Sequence, residues 1–316
     1  NKEEWHEDTI VNVYSVSKGL LAISNSILLD RGLIDLDKAI SHYCSKFNKP
    51  VHDKITLRLL FSHQGGLYSW KEKVIASDLY DWEKCVSLLA KQDLFYKPGE
   101  ETSYHVTTIG YLIGEIFKSV TGNTIGNFVK KELIRDKTCK CFIGLPKEEF
   151  KNISDLYEIN DRLTSKSIMS SNKMDVYTEN AFKNPQIPNL TEISQSLEWI
   201  SSEIPSSNCH TNAKSIAAIY DNFVNNIYFE NNGFSESKIH QDVQYIESNR
   251  MDYVLRLPIK WSSVGFILDG GKLFGNSKKA FGHTGLGGSL AFADPDLRLG
   301  ISYISNTCSE TLIGDK

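Results

Sequence analysis

Ser15-Val16-Ser17-Lys18 sets a hydroxyl and an amine three residues apart. Positions i and i+3 of a helix share a face. A serine that opens a helix also meets the free N–H groups and the positive end of the helix dipole. A lysine one turn on, once stripped of water, gives up its proton readily and can take the one on the serine. That pairing suits acyl transfer through a serine nucleophile. The spacing alone is not specific, because Ser170-Ser171-Asn172-Lys173 and Ser235-Glu236-Ser237-Lys238 share it. Both lie in polar stretches with no apolar helix behind them and read as exposed surface. Ser15 has an extended lead-in and an apolar helix after it, although taken by itself it reads as a helix N-cap more readily than as a nucleophile.

The elements that must carry these residues follow from periodicity. Residues 8–16 are rich in β-branched types and read as extended. A helix begins near Ser15, with Leu20, Ile23 and Ile27 on one face, Leu21 and Leu28 widening it, and Gly32 at its end. Further helices are expected over 55–60, 82–94, 107–120, 123–133 and 213–223. The stretch 146–200 is rich in Ser, Asn and Lys and reads as long loops with short helices. After Pro258 the chain turns Gly-rich and β-like, with strands expected over 261–268, 272–274, 288–293 and 299–305. Asp269-Gly270-Gly271 and Asp294-Pro295-Asp296 serve as turns. No internal repeat is present. The expected organisation is α/β: an antiparallel sheet flanked by helices, built from residues 1–65 and 235–316, with a mainly helical domain, 66–234, inserted between.

Several motifs in one order are more specific than any one of them. Ser15-Val16-Ser17-Lys18-Gly19 is followed by Asp30-Arg31-Gly32-Leu33-Ile34-Asp35-Leu36-Asp37 and by Ile55-Thr56-Leu57-Arg58-Leu59-Leu60-Phe61-Ser62-His63-Gln64-Gly65-Gly66-Leu67. Pro98-Gly99 precedes Tyr104. Glu203-Ile204-Pro205 and Phe281-Gly282-His283-Thr284-Gly285 come next, then Asp294-Pro295. This series resembles the family of class C serine β-lactamases and penicillin-binding proteins, over about residues 5–145 and 200–306.

The resemblance implies a β-lactamase/transpeptidase-like fold and assigns roles. Ser15 takes the acylated serine of the S-x-x-K motif and Lys18 its proton acceptor. Tyr104-His105-Val106 stands at the family's Tyr-x-Asn, with the tyrosine kept and the asparagine lost. His283-Thr284-Gly285 stands at Lys-Thr-Gly, and Ser15 with Leu286 supplies the oxyanion N–H groups. Substrate contact is expected from His283, Thr284, Gly285, Leu286 and His105. Tyr220-Asp221-Asn222 spells Tyr-x-Asn but sits among core positions of a helix and reads as structural, and His63 reads as a family structural position. Loss of the asparagine and of the lysine weakens the case for an anionic β-lactam and looks like the carboxylesterase-like branch. The leading expectation is a serine hydrolase acting on an ester or amide of a small-molecule or peptide-like substrate. The alternative is a catalytically silent relative that serves in binding or assembly. The family also leads one to expect more chain at both ends than the 14 residues before Ser15 and the ten after Asn306. That suggests a trimmed sheet with an unpaired edge.

Composition narrows the remaining classes. The 316 residues are 41% hydrophobic and 23% charged, ordinary for a chain with its own core. A net charge of −4 makes nucleic acid a poor partner. No apolar run is long enough for a membrane span. The acidic start is no signal peptide, and the weak lean is intracellular. Six cysteines form no framework and read as mostly reduced thiols. No metal and no cofactor are expected, because His105, His283 and Cys209-His210 are scattered and no His-x-x-x-His pair exists.

Overall fold

A computed structural model describes residues 4–158, 176–187, 190–229 and 241–308. The two other S-x-x-K matches, 170–173 and 235–238, lie outside the described residues. In chain order, β1 (Val11–Asn12) leads into α1 (Ser17–Asp30), α2 (Leu57–Phe61) and α3 (Trp82–Lys91). Then come α4 (Thr108–Thr121), α5 (Ile125–Phe128), β2 (Cys141–Ile143), β3 (Tyr157–Glu158) and α6 (Val176–Lys183). The last third holds β4 (Cys209–Thr211), α7 (Ala213–Val224), β5 (Ile246–Asp252) and β6 (Leu257–Ser262). It closes with β7 (Phe281–Thr284), β8 (Leu290–Asp294), β9 (Leu299–Tyr303) and β10 (Thr307–Cys308).

Two β systems hold the molecule. β4 is the centre of a small antiparallel sheet, paired with β1 on one side and β2 on the other. β7, β8 and β9 form an antiparallel meander, and β5 pairs with β6. Ile267 joins the hairpin to the meander by bridging both Trp261 and Gly282. β3 and β10 add a short parallel pair. α7 packs on β8 and β9, and α1 packs on β7 and α4.

Every residue of α1 is buried. Its apolar residues are buried together with Ser24, Asn25, Ser26 and Asp30, and its tight fit is visible at Gly19, where a Cβ would collide with the Tyr220 hydroxyl of α7. α4 ends on Gly122 at φ 70°, the left-handed cap that glycine adopts without strain. The main core joins α1, α4, α7 and the inner faces of β7 and β8. A second cluster gathers Tyr68, Tyr96, Tyr104, Trp261 and Phe292.

The structure departs from the sequence reading in places. The strand expected over 261–268 breaks after Ser262, because the chain turns through Gly265 at φ 105° before Ile267. Residues 272–274 are a turn, with Phe274 buried for packing rather than paired in a ladder. β5 went unread because Ile246–Asp252 is mostly polar and buries only two positions. The helix expected over 123–133 is the short α5 followed by a wider turn to Leu133. All six cysteines are free, with the Cys141 and Cys209 sulfurs 3.6 Å apart. No helix among the described residues is long and apolar enough to cross a membrane.

Candidate active site

Ser15 sits in the tight turn between β1 and α1. Tyr14 turns the chain with φ 45°, a left-handed conformation costly for a non-glycine residue. The turn is pinned from several sides. The Ser17 N–H donates to the Tyr14 carbonyl at 3.0 Å, and the Lys18 N–H donates to the Ser15 carbonyl at 3.0 Å. The Ser17 hydroxyl donates to the Tyr14 carbonyl and accepts the Cys209 N–H at 3.0 Å. α1 has no side-chain cap, so the Ser15 hydroxyl is not spent as an N-cap.

Lys18 lies one turn into the buried helix, 3% exposed. Its Nζ is 2.8 Å from the Val106 carbonyl, 2.9 Å from the Ser206 carbonyl and 3.0 Å from Ser15 Oγ. It also sits over the Tyr104 ring, 4.8 Å from the centroid. The two carbonyls only accept, so they take two N–H groups. The third direction faces Ser15 Oγ with either a third hydrogen or, in the neutral amine, a lone pair. Burial pulls the Lys18 pKa well below its ordinary range, and no carboxylate offsets that pull. Burial thus works toward the neutral amine, whose lone pair would face Ser15.

Tyr104 faces the same serine, and the nearness of the Ser15 side chain acts on its phenol. Burial raises its pKa far above the ordinary phenol range, Ser15 lowers it in part, and the Asp252 charge raises it further. Of the two groups facing Ser15, the amine is thus electrostatically suited to accept a proton and the phenol to keep one. Trp261 lies parallel to the Tyr104 ring at 5.7 Å, with planes 9° apart. His63 meets the same ring edge-on at 4.9 Å.

His63 and His105 support this segment from beneath. His63 has φ 63°, its carbonyl accepts the Ser103 N–H at 3.0 Å, and its Nδ1 accepts the His105 N–H at 3.1 Å. His105 is fully buried, with its Nδ1 on the Ser103 carbonyl at 2.7 Å. Burial pushes the His105 pKa down to about 3. Its side chain is thus neutral and enclosed, away from the exposed surface where substrate contact would be easiest.

β7 brings His283-Thr284 alongside Tyr104. The His283 ring is 6.2 Å from Tyr104 and 5.9 Å from Trp261. Its Nδ1 contacts the Thr284 carbonyl at 2.7 Å, so Nδ1 carries the hydrogen and Nε2 presents a lone pair. Nε2 is buried without a partner among the described residues. Burial, then the nearness of Lys18, pushes the pKa down to about 3 against the pull of the Thr284 carbonyl. The position is therefore an uncharged acceptor. Thr284 is buried beside it, and a Cβ on Gly285 would strike the Val13 carbonyl, so only glycine lets β7 end against the Ser15 turn. The Gly285 N–H is held by the Ser289 carbonyl at 2.7 Å, and Leu286 follows half-buried. The Ser15 and Leu286 N–H groups have no partner among the described residues.

The structure thus brings Ser15, Lys18, Tyr104 and His283 to one place, with Thr284, Gly285 and Leu286 next in the chain. Tyr220 lies apart, buried against Gly19. Sequence reasoning missed the Val106 and Ser206 carbonyls, which carry no side-chain signature, and the pair Asp252 and Trp261, whose hairpin it did not recognise.

A family model described as Beta-lactamase matches residues 1–311. The Esterase/beta-lactamase LipL of Mycobacterium tuberculosis is 24% identical over 320 residues, spanning 98% of this chain and 72% of that protein. A crystal structure of a family VIII carboxylesterase superposes with a TM-score of 0.88 at 30% identity, covering 99% of this chain and 82% of that one. A penicillin-binding protein homolog from Caulobacter crescentus superposes with a TM-score of 0.87 at 27% identity, over the same shares. The chain therefore belongs to the beta-lactamase family, on its carboxylesterase-like side.

Proposed function

We propose that this protein is a serine hydrolase that cleaves small, uncharged carboxylic esters through an acyl-Ser15 intermediate. The observation that carries the reading is the Lys18 amine, held by two carbonyls at 2.8 and 2.9 Å with its third direction on Ser15 Oγ at 3.0 Å. In this scheme Lys18 takes the Ser15 proton as Oγ attacks the carbonyl carbon. The Ser15 and Leu286 N–H groups receive the oxyanion. The tetrahedral intermediate collapses, and the leaving alkoxide takes a proton relayed from Lys18 by Tyr104. Water, activated by the same amine, then releases the acid and restores Ser15.

The preference for an uncharged substrate rests on His283. A neutral imidazole that offers a lone pair repels a carboxylate, whereas a lysine there would attract one. Esterase and carboxylesterase relatives point the same way. We further propose that residues 1–65 with 235–316 and residues 66–234 are the two parts of the molecule. Ser15, Lys18 and His283 come from the first, Tyr104 and Ser206 from the second, and the site lies at their seam.

The test is labelling with a fluorophosphonate probe. Wild type takes up one probe on Ser15, and Ser15→Ala takes up none. An unlabelled, folded wild type would overturn the reading and return the silent binding-protein alternative.

A further inference from the structure

Asp252 closes β5 with no exposed surface, and the acyl-transfer scheme above does not use it. Its Oδ1 accepts three main-chain N–H groups: Tyr104 at 3.0 Å, Val254 at 3.0 Å and Leu255 at 2.9 Å. We infer that Asp252 is the positioning residue of Tyr104, and that with Trp261 from the same hairpin it holds the phenol toward Ser15.

The hairpin grips the Tyr104 segment along its length. The Tyr253 N–H donates to the Thr102 carbonyl at 2.9 Å, and the Thr102 and Ser248 hydroxyls meet at 2.7 Å. Asp252 adds the contact at Tyr104 itself. Across the hairpin, Trp261 covers the phenol face in parallel, and His63 abuts the ring from another side. Backbone and ring of Tyr104 are thus fixed by one two-stranded unit.

A carboxylate is a demanding choice for this task. A hydroxyl or amide side chain also caps a turn, at less desolvation cost. Burial pushes the Asp252 pKa up to about 6, against the pull of its three main-chain donors, while its Oδ2 is buried without a hydrogen-bond partner among the described residues. Tyr104 and Tyr96 are the titratable groups that feel its charge. On Tyr104 that charge favours the protonated phenol, the form the scheme requires. The charge therefore adds something that a neutral cap would not.

The inference rests on the hydrolase reading and is tested by a double-mutant cycle with p-nitrophenyl acetate. Asp252→Asn keeps an oxygen for the three N–H groups but removes the charge. We expect kcat to fall about tenfold with KM within about twofold. In a Tyr104→Phe background the same substitution costs less than about twofold, because residues acting through one group are not additive. An equal loss in both backgrounds marks a merely structural residue and overturns the inference, as does no loss in wild type. Should Asp252→Asn fail to fold, Trp261→Phe decides, since it keeps an aromatic ring beside Tyr104 but gives up most of the indole face stacked on the phenol. It is expected to lower kcat a few-fold in wild type and not in Tyr104→Phe, and an additive loss overturns the inference. Wild type inert to both the ester and the fluorophosphonate overturns the hydrolase reading and this inference with it. Labelled wild type with an additive cycle overturns this inference alone.

Discussion

If Lys18 is neutral in the folded protein, its proton is a folding variable that can be read without any substrate. The perturbation is Lys18→Met, which keeps the stem and removes the amine. Burial holds the folded pKa of Lys18 well below its ordinary 10.5, with no carboxylate to compensate. The sign follows directly. Below the folded pKa both folded and unfolded chains carry the proton, and the full cost of burying the charge is present. Between the folded pKa and about 10.4 only the unfolded chain carries it, so stability rises with pH as the cost fades. Above that window no cost remains. One proton corresponds to a slope of about 1.4 kcal/mol per pH unit. The variant lacks the group and lacks the slope. It also strands the Val106 and Ser206 carbonyls, a loss of about 1–3 kcal/mol each that does not vary with pH. Urea unfolding of both proteins at pH 7.5, 8.5 and 9.5 separates the two effects. The stability of wild type relative to the variant is expected to climb by about 1.4 kcal/mol per unit across the series. A flat difference would show Lys18 charged in the fold and would refute its role as proton acceptor.

Other perturbations follow from the same geometry. Tyr104→Phe removes the hydroxyl facing Ser15 and is expected to lower kcat by about 10²–10⁴ with little change in melting temperature, as steady-state kinetics and thermal unfolding will show. With its pKa near 3, His283 adds no inflection to kcat/KM between pH 5 and 8, which leaves the rise in rate to Lys18 and to Asp252, whose pKa is pushed up to about 6. An inflection removed by His283→Gln would contradict this. His283→Lys replaces an acceptor with a cation and is expected to shift kcat/KM toward a carboxylate-bearing ester over its neutral analogue by about ten- to a hundredfold. Gly285→Ala drives a methyl into the Val13 carbonyl, so both melting temperature and kcat should fall together.

Much of this site was legible because its chemistry is local. Ser15 and Lys18 announce themselves by spacing, and the apolar run from Leu20 to Leu29 announces the helix that buries them. Gly285 and His283 were readable from motif order. The rest depends on contacts far apart in sequence. Whether Lys18 is desolvated turns on carbonyls 88 and 188 residues away, and any residue type could supply those. β5 hides because a hairpin with one buried edge needs little apolar sequence. Asp252 looked like one more acid in a polar stretch until the fold set it against the Tyr104 N–H. Burial is equally invisible to motif order: His105, expected at the substrate, is enclosed beside His63.

The central claim is that an ester's acyl group passes through Ser15 Oγ. Intact-mass spectrometry of protein quenched during turnover of a p-nitrophenyl ester, followed by peptide mapping, tests it most directly. The account predicts a mass increase of one acyl group on the peptide containing Ser15, absent in Ser15→Ala and in Lys18→Met. Turnover without any acyl adduct, or an adduct on another residue that survives in Ser15→Ala, would contradict it.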